Sequence, residues 1–141
     1  MVQRKMIDFA GHMARLRRSL AELDMEDRYS ETDLLGIHQT LIDKNDLTEG
    51  LIYLQVTRGA ADRDFDFSEL DSDPTLVLFT QAKSLTANAL ADRGQNIVLV
   101  DDLRWGRADI KTTQLLYSSL MKTRAKKSGA DDVWLCREGK I

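Results

Sequence analysis

The chain has 141 residues, a net charge of −3 and a hydrophobic content of 43%, a length and composition sufficient for a globular core. This near balance of charge gives no sign of nucleic-acid or lipid-surface binding, and no apolar run approaches the roughly 18 residues of a membrane span. The single cysteine, Cys136, excludes an internal disulfide framework and suits a reducing cytoplasm, the location we expect.

Two amphipathic helices are predicted in the first third of the chain. Apolar residues recur at helical spacing from Asp8 to about Asp24, and Asp8 can serve as the N-cap. A second helix follows Ser30, which with Asp33 nearly matches a capping box, and it ends near Lys44. The residues expected on its buried face are Leu34, Ile37, Leu41 and Ile42.

Four strands are predicted further along. Residues 51–59 are rich in β-formers, and a polar, acidic loop over 60–73 separates them from a nearly continuous apolar strand at 75–81. Buried strands are also expected at 96–100 and 133–136. In the first strand, we expect one face to consist of Ile52, Leu54 and Val56.

Two further helices and a final turn complete the pattern. A short helix over 86–92 should end at Gly94, and a longer helix over 112–128 has Gly129 as a suitable C′ residue. Residues 138–139, Glu-Gly, are typical of a hairpin turn. The residues expected to form the packing face of the longer helix are Leu115, Leu116, Ser119, Leu120 and Thr123.

Lys111 is the first candidate for chemistry. It lies where the chain enters the predicted long helix, and the positive end of a helix dipole disfavours an ammonium group. A neutral lysine amine is the nucleophile that Schiff-base chemistry requires. Spacing alone does not distinguish this from an ordinary solvated lysine.

Two arginines are the other candidates. Arg15 could grip a phosphate with its forked donors, although it is one of several arginines on its helix. Arg63, in the acidic loop, could bind a substrate carboxylate or form an ion pair with a neighbouring aspartate. No metal site is expected, because His12 and His38 lie on separate helices and no Cys/His cluster is present.

Three segments together carry a family resemblance. HMARLRRSL (12–20), LIYLQVTRG (51–59) and DDLRWGRADIKTTQLL (101–116) resemble the class IV, fold-type IV aminotransferases, which depend on pyridoxal phosphate (PLP). The resemblance is greatest to the D-alanine aminotransferase type and extends from Met6 to Ile141.

The resemblance implies an α+β fold. It predicts the two-layer α/β sandwich N-terminal domain of the D-amino acid aminotransferase-like fold, followed by the start of the second domain. The implied boundaries are 1–100 for the small domain without its opening strands, 101–108 for the linker, and 109–141 for the truncated PLP-binding domain.

The resemblance also gives the three candidates roles. Lys111 matches the lysine that holds PLP and moves the proton, Arg15 matches a phosphate ligand, and Arg63 matches a ligand of the substrate α-carboxylate. In the D-alanine type that loop reads arginine, any residue, histidine, whereas here it reads Arg63-Asp64-Phe65. The histidine contact is therefore missing or replaced.

The implied function is transamination between a D-amino acid such as D-alanine and a 2-oxo acid such as 2-oxoglutarate, in a cytoplasmic homodimer. Leu116 favours the D-amino-acid group, because branched-chain aminotransferases usually carry tyrosine at that position. A branched-chain aminotransferase, a 4-amino-4-deoxychorismate lyase and a non-catalytic folded domain remain alternatives. The family's glutamate motif, such as EGSSSN, does not occur in these residues, so we expect little activity from this segment alone.

Overall fold

The structure is a computed structural model that describes residues 1–63, 66 and 72–141. The chain divides into two compact units, Met1–Thr86 and Ala87–Ile141. The domain boundary after residue 100 stays a prediction; the strand that begins at Ile97 finds its pairing partner within the second unit.

Two helices form one layer of the first unit. Helix α1 spans Phe9–Ala21 and helix α2 spans Glu31–Lys44. The ring of Phe9 meets the ring of His38 edge-on at 5.3 Å, which joins the two helices. Their buried residues are Met13, Ser19, Leu20, Leu34, His38 and Ile42.

The buried face of α2 differs in part from the prediction. Leu34 and Ile42 are buried as expected, but Ile37 and Leu41 are only half-buried. His38 lies between the two buried residues at four-residue spacing, and its Nδ1 donates to the carbonyl oxygen of Leu34 at 2.7 Å. This bond satisfies a polar ring in the core, so a histidine can take a place that periodicity assigns to apolar residues.

The two predicted N-caps behave differently. Ser30 accepts a hydrogen bond from the Asp33 backbone N–H at 3.1 Å, and its hydroxyl donates to the Asp33 carboxylate at 2.6 Å, which confirms the capping interaction. Asp8 does precede α1, but it adopts a left-handed conformation (φ 52°) and makes no side-chain cap bond. Asp8 therefore occupies the predicted N-cap position, and its carbonyl oxygen accepts the His12 N–H at 3.1 Å, but its side chain does not cap the helix.

Strands β1 (Gly50–Thr57) and β2 (Thr75–Ala82) pair antiparallel in the first unit, with Leu54 opposite Leu78. Helix α2 packs against β2. Ile52, Leu54 and Val56 are half-buried, which agrees with the predicted shared face. The opposite face leaves Tyr53 and Phe79 stacked on each other at 4.8 Å and exposed.

The second unit contains helix α3 (Ala89–Arg93), strand β3 (Ile97–Asp101), helix α4 (Leu116–Lys127) and strand β4 (Asp132–Cys136). Strands β3 and β4 are parallel, and α4, which connects them, packs against both. Gly94 (φ 78°) follows α3 as predicted. The two residues of the predicted final turn, Glu138 and Gly139, both have positive φ, and Arg137 and Lys140 exchange backbone hydrogen bonds across them.

Helix α4 departs most from the prediction. It begins at Leu116 rather than near 112. The residues before it form a local turn, in which the Gln114 N–H donates to the Thr112 hydroxyl at 3.5 Å and the Leu115 N–H donates to the Thr113 carbonyl oxygen at 2.8 Å. The less exposed residues of α4 include Tyr117, Met121 and Ala125, which recur every four residues. The predicted packing face is wrong; its members are all exposed, namely Leu115, Leu116, Ser119, Leu120 and Thr123.

Candidate active site

Lys111 lies in the segment of the second unit between β3 and α4. Its side chain is exposed, while the preceding residue, Ile110, is only 4% exposed and anchors the backbone beside it. The Ile110 N–H donates to Arg107 O at 3.1 Å, and the Arg107 guanidinium forms a two-point ion pair with Asp109 at 3.0 and 3.1 Å. An accessible amine on an anchored backbone can react with a carbonyl group and keep its position.

Lys111 does not lie at the N-terminus of a helix, where the sequence predicted it. Helix α4 begins at Leu116, so Lys111 lies several residues before its first turn. The field of a helix terminus falls off within about one turn. Any activation of this lysine must come from its surroundings and from a bound partner rather than from that helix.

Arg15 lies on the exposed side of α1 in the first unit. Its Nη2 donates to Nδ1 of His12, one turn earlier on the helix, at 2.9 Å. The His-x-x-Arg spacing therefore orients one guanidinium nitrogen. The exposed guanidinium is a suitable donor set for a phosphate group.

Arg63 is exposed at the point where the described residues are interrupted. In the D-alanine type the arginine is followed by any residue and then by histidine. The two residues at those positions here, Asp64 and Phe65, lie outside the described residues. Arg63 and Arg15 belong to the first compact unit and Lys111 to the second. The roles of all three residues stay predictions.

The VTRG segment has a structural explanation that the sequence did not supply. The Arg58 guanidinium donates to the carbonyl oxygens of Leu23 and Asp24, in the turn that follows α1. Gly59 has φ 103°, and a Cβ there would collide with the carbonyl oxygen of Asp73. Arginine and glycine thus join β1 to α1 and to the returning loop.

A buried carboxylate was missed by sequence reasoning. The side chain of Asp102 is 7% exposed and receives two bonds from the Arg104 guanidinium, at 2.8 and 2.9 Å. Arg137 approaches the same carboxylate at 3.3 Å. Hydrogen bonds from Arg104 outweigh the effect of burial and lower the pKa of Asp102 from 3.8 to about 2. Because Arg137 lies 33 residues beyond Arg104 on the chain, periodicity gave no signal for this contact.

Two negative findings apply to the part of the chain that the structure describes. No group of three or more potential metal ligands comes together there. No helix among these residues is both long and apolar enough to cross a bilayer.

Comparisons with known proteins identify the family. The family described as Amino-transferase class IV matches residues 1–141. The chain belongs to the class IV aminotransferases. This confirms the resemblance seen in the sequence.

Individual relatives agree with this assignment. A D-alanine aminotransferase of Staphylococcus aureus (strain MSSA476) is 35% identical over 126 residues, which are 89% of this chain and 44% of the relative. A D-alanine aminotransferase of Bacillus licheniformis is 34% identical over 131 residues, which are 92% of this chain and 45% of the relative. The chain therefore spans less than half the length of these curated relatives.

The fold has a solved counterpart. A crystal structure of a protein designated a 4-amino-4-deoxychorismate lyase, from Legionella pneumophila, aligns with a TM-score of 0.82. The alignment covers 98% of this chain and 50% of that one, at 20% sequence identity. This likeness supports the α+β fold of the class IV aminotransferases and carries no information about substrate.

Proposed function

We propose that this chain provides part of the active site of a PLP-dependent aminotransferase that acts on a D-amino acid, with D-alanine and 2-oxoglutarate as the substrate pair. The observation that carries the proposal is the 35% identity to D-alanine aminotransferases over 89% of the chain. Since the chain spans 44% of that relative, the activity is proposed for the protein that contains these residues.

The side chains present suit the cofactor. PLP carries an aldehyde, which reacts with a primary amine, and a phosphate, which binds forked cationic donors. Lys111 is an exposed amine beside the buried Ile110, and Arg15 is an exposed guanidinium oriented by His12. When bound, PLP supplies the electron sink for carbanion chemistry.

The chain's own residues then have separate tasks. The Lys111 amine would hold the cofactor between turnovers, and during turnover it would move the proton from the substrate Cα to the cofactor carbon C4′. Arg15 binds the phosphate, and Arg63 binds the substrate α-carboxylate. The cytoplasmic location and the homodimer belong to the same proposal.

Trapping the cofactor on the chain tests the lysine assignment. The 141-residue chain is incubated with PLP, reduced with borohydride and mapped by peptide mass spectrometry. We expect Lys111 to be modified about tenfold more than Lys127, an exposed lysine at the end of α4, and this preference is equivalent to about 1.4 kcal/mol. Lys111→Ala is the control, and equal modification of the two lysines would contradict the proposal.

Arg15 provides a second test. Arg15→Met should weaken PLP binding about tenfold through loss of the charged, forked donor, whereas Arg15→Lys should retain part of it. The measurement is a titration of the lysine-bound cofactor's absorbance. Arg18→Met, on the same helix, is the matched control and should leave the affinity within about twofold. Equal effects at the two positions would remove the phosphate role from Arg15.

The substrate class is tested by a single half-reaction. The low turnover expected of these residues alone stays a prediction, so the assay follows the spectrum of bound cofactor rather than steady-state product. D-alanine should change that spectrum faster than L-leucine or aminodeoxychorismate. A faster response to L-leucine would indicate a branched-chain aminotransferase, and one to aminodeoxychorismate would indicate a lyase.

A further inference from the structure

Three charged side chains meet just beyond the carboxyl ends of β3 and β4. Asp102 follows β3 directly, and Arg137 follows β4 directly. Arg104 closes on Asp102 with two side-chain bonds and one backbone N–H bond at 3.0 Å. We call Asp102, Arg104 and Arg137 the strand-end cluster.

The strand-end cluster also fixes backbone. Asp102 N–H donates to the carbonyl oxygen of Cys136 at 2.8 Å, which extends the pairing of β3 with β4 by one bond. Arg137 Nη2 donates to the carbonyl oxygen of Arg104 at 3.2 Å as well as approaching Asp102. The Arg137 guanidinium, just after β4, therefore holds both the carboxylate and the backbone of the segment that follows β3.

The same segment is held at two later points. Ile110 is buried, and at the start of α4 the Tyr117 hydroxyl donates to the carbonyl oxygen of Asp101 at 2.6 Å. Lys111 lies between these two points, next to Ile110. The segment from 102 to 115 thus has fixed ends and an anchor beside the lysine.

We infer that the strand-end cluster is a positioning device for Lys111: it sets the path of the 102–115 segment and so holds the lysine backbone where its amine can meet the cofactor. This inference rests on the proposed function of Lys111. None of the three residues is assigned contact with substrate or cofactor. They act through the backbone, as supporting residues around a reactive group generally do.

The geometry distinguishes the cluster from ordinary surface ion pairs. Asp102 is 7% exposed at its side chain, whereas Asp46, which pairs with Arg4, is 92% exposed. Asp102 is the buried member of the cluster, and its carboxylate holds Arg104 and Arg137, whose own side chains are 36% and 43% exposed. Replacing it removes the charge that both arginines bind, whereas loss of an exposed pair removes little. The segment should therefore respond to loss of the Asp102 charge.

The second unit contains a matched control. At the opposite ends of the same strands, Asp131 forms a two-point ion pair with Arg93 at 2.8 and 3.1 Å, and it accepts the Asn96 N–H at 2.8 Å. The Asp131 side chain is 14% exposed. A general loosening of the unit would follow from Asp131→Asn as well as from Asp102→Asn, whereas a positioning effect would follow from Asp102→Asn alone.

Hydrogen exchange on the 141-residue chain provides the readout without any cofactor. Asp102→Asn should accelerate exchange of the amides in 103–111 by about tenfold or more, while Asp131→Asn should leave them within about twofold of wild type. Equal acceleration by both variants, or no change in either, would overturn the inference. Arg137→Met and Arg137→Lys cover the case in which Asp102→Asn does not fold. Arg137→Lys retains a cationic donor, so amide exchange in 103–111 should be slower in this variant than in Arg137→Met. Equally fast exchange in the two variants would also count against positioning.

Borohydride trapping with PLP then connects the cluster to the lysine. The preference for Lys111 over Lys127 should fall about tenfold in Asp102→Asn and persist in Asp131→Asn. If wild type shows no such preference, the proposed function fails, and the exchange data still decide whether the cluster holds the segment. If wild type shows it and Asp102→Asn keeps it, the positioning inference fails while the proposed function stands.

Discussion

The ionisation of Asp102 makes a specific prediction about acid stability. Hydrogen bonds from Arg104 lower its pKa in the folded chain to about 2, against an ordinary 3.8. A carboxyl group whose pKa is lower in the folded chain stabilises the fold in full at pH values above its unfolded pKa. That stabilisation is lost as the pH falls through its folded pKa. We expect Asp102→Asn to lower the free energy of unfolding by about 2 kcal/mol at neutral pH. The difference in free energy of unfolding between wild type and Asp102→Asn should shrink as the pH falls from 3.8 to about 2.

Denaturant unfolding at a series of pH values measures this difference. Asp46→Asn is the control, because an exposed ion pair contributes about 1 kcal/mol or less. A wild-type advantage over Asp102→Asn that stayed constant across the acid range would show that the ionised carboxylate is not the source of the stability.

Gly59 gives a second prediction about a single position. Its φ of 103° and the nearby Asp73 carbonyl oxygen leave no room for a Cβ. Gly59→Ala should therefore destabilise the first unit by about 2 kcal/mol, since it adds backbone strain to a steric collision. Gly36→Ala is the opposite case: Gly36 lies in α2 with open space around it, and the change should stabilise by up to about 1 kcal/mol. Urea unfolding of both variants checks the pair, and a loss of stability at both positions would contradict this account.

The helices show how local chemistry sets element boundaries. Shortly after the last residue of α1 and of α2 comes an aspartate in the left-handed region, Asp24 (φ 51°) and Asp46 (φ 44°), and the N–H of the residue after it bonds back to the last helical turn. Helix α4 ends in the same way at Gly129 (φ 87°), as the sequence predicts. Aspartate tolerates this conformation better than most residues, so a helix end without glycine is harder to recognise.

The start of α2 provides a prediction about helix capping. Ser30→Ala removes the acceptor for the Asp33 N–H and should cost about 1 kcal/mol of unfolding free energy. Ser30→Thr keeps the hydroxyl and should recover most of it. Asp8→Asn should be nearly neutral, because the Asp8 side chain makes no cap bond and asparagine accepts its left-handed conformation. Thermal or urea unfolding measures all three, and an Asp8→Asn cost as large as that of Ser30→Ala would refute the distinction.

The two compact units differ in how much they bury. Among the described residues, seven hydrophobic and two polar side chains are buried. Ile110 and Ala125 belong to the second unit, and the others belong to the first. Local opening is easier where fewer apolar contacts must be broken. We therefore expect amide exchange to be slower in α2 than in α4 or β3, by about tenfold or more. Equal protection in the two units would contradict this expectation.

The proposed homodimer has a separate test, which is sedimentation analysis of the same sample.

Much of this molecule follows from sequence alone. The elements were located because their signals are local: alternation in 51–57, capping chemistry at Ser30, glycines at the ends of α3 and α4, and the final turn at Glu138. The family was recognisable from short segments whose combination is specific, and the match over 1–141 bears it out.

Other features required the tertiary structure. The packing face of α4 is set by its contact with β3 and β4, and its start at Leu116 follows a local turn at Thr112 and Thr113. His38 can be buried because its ring bonds to a backbone carbonyl oxygen. Asp102 can be buried because Arg104 and Arg137, which are 33 residues apart on the chain, both bind its carboxylate. These outcomes depend on partners distant in the chain or on backbone geometry, which hydrophobic periodicity does not record. Sequence thus determined the family, the elements and the identity of the candidate lysine, whereas the fold decided what holds the segment on which that lysine lies.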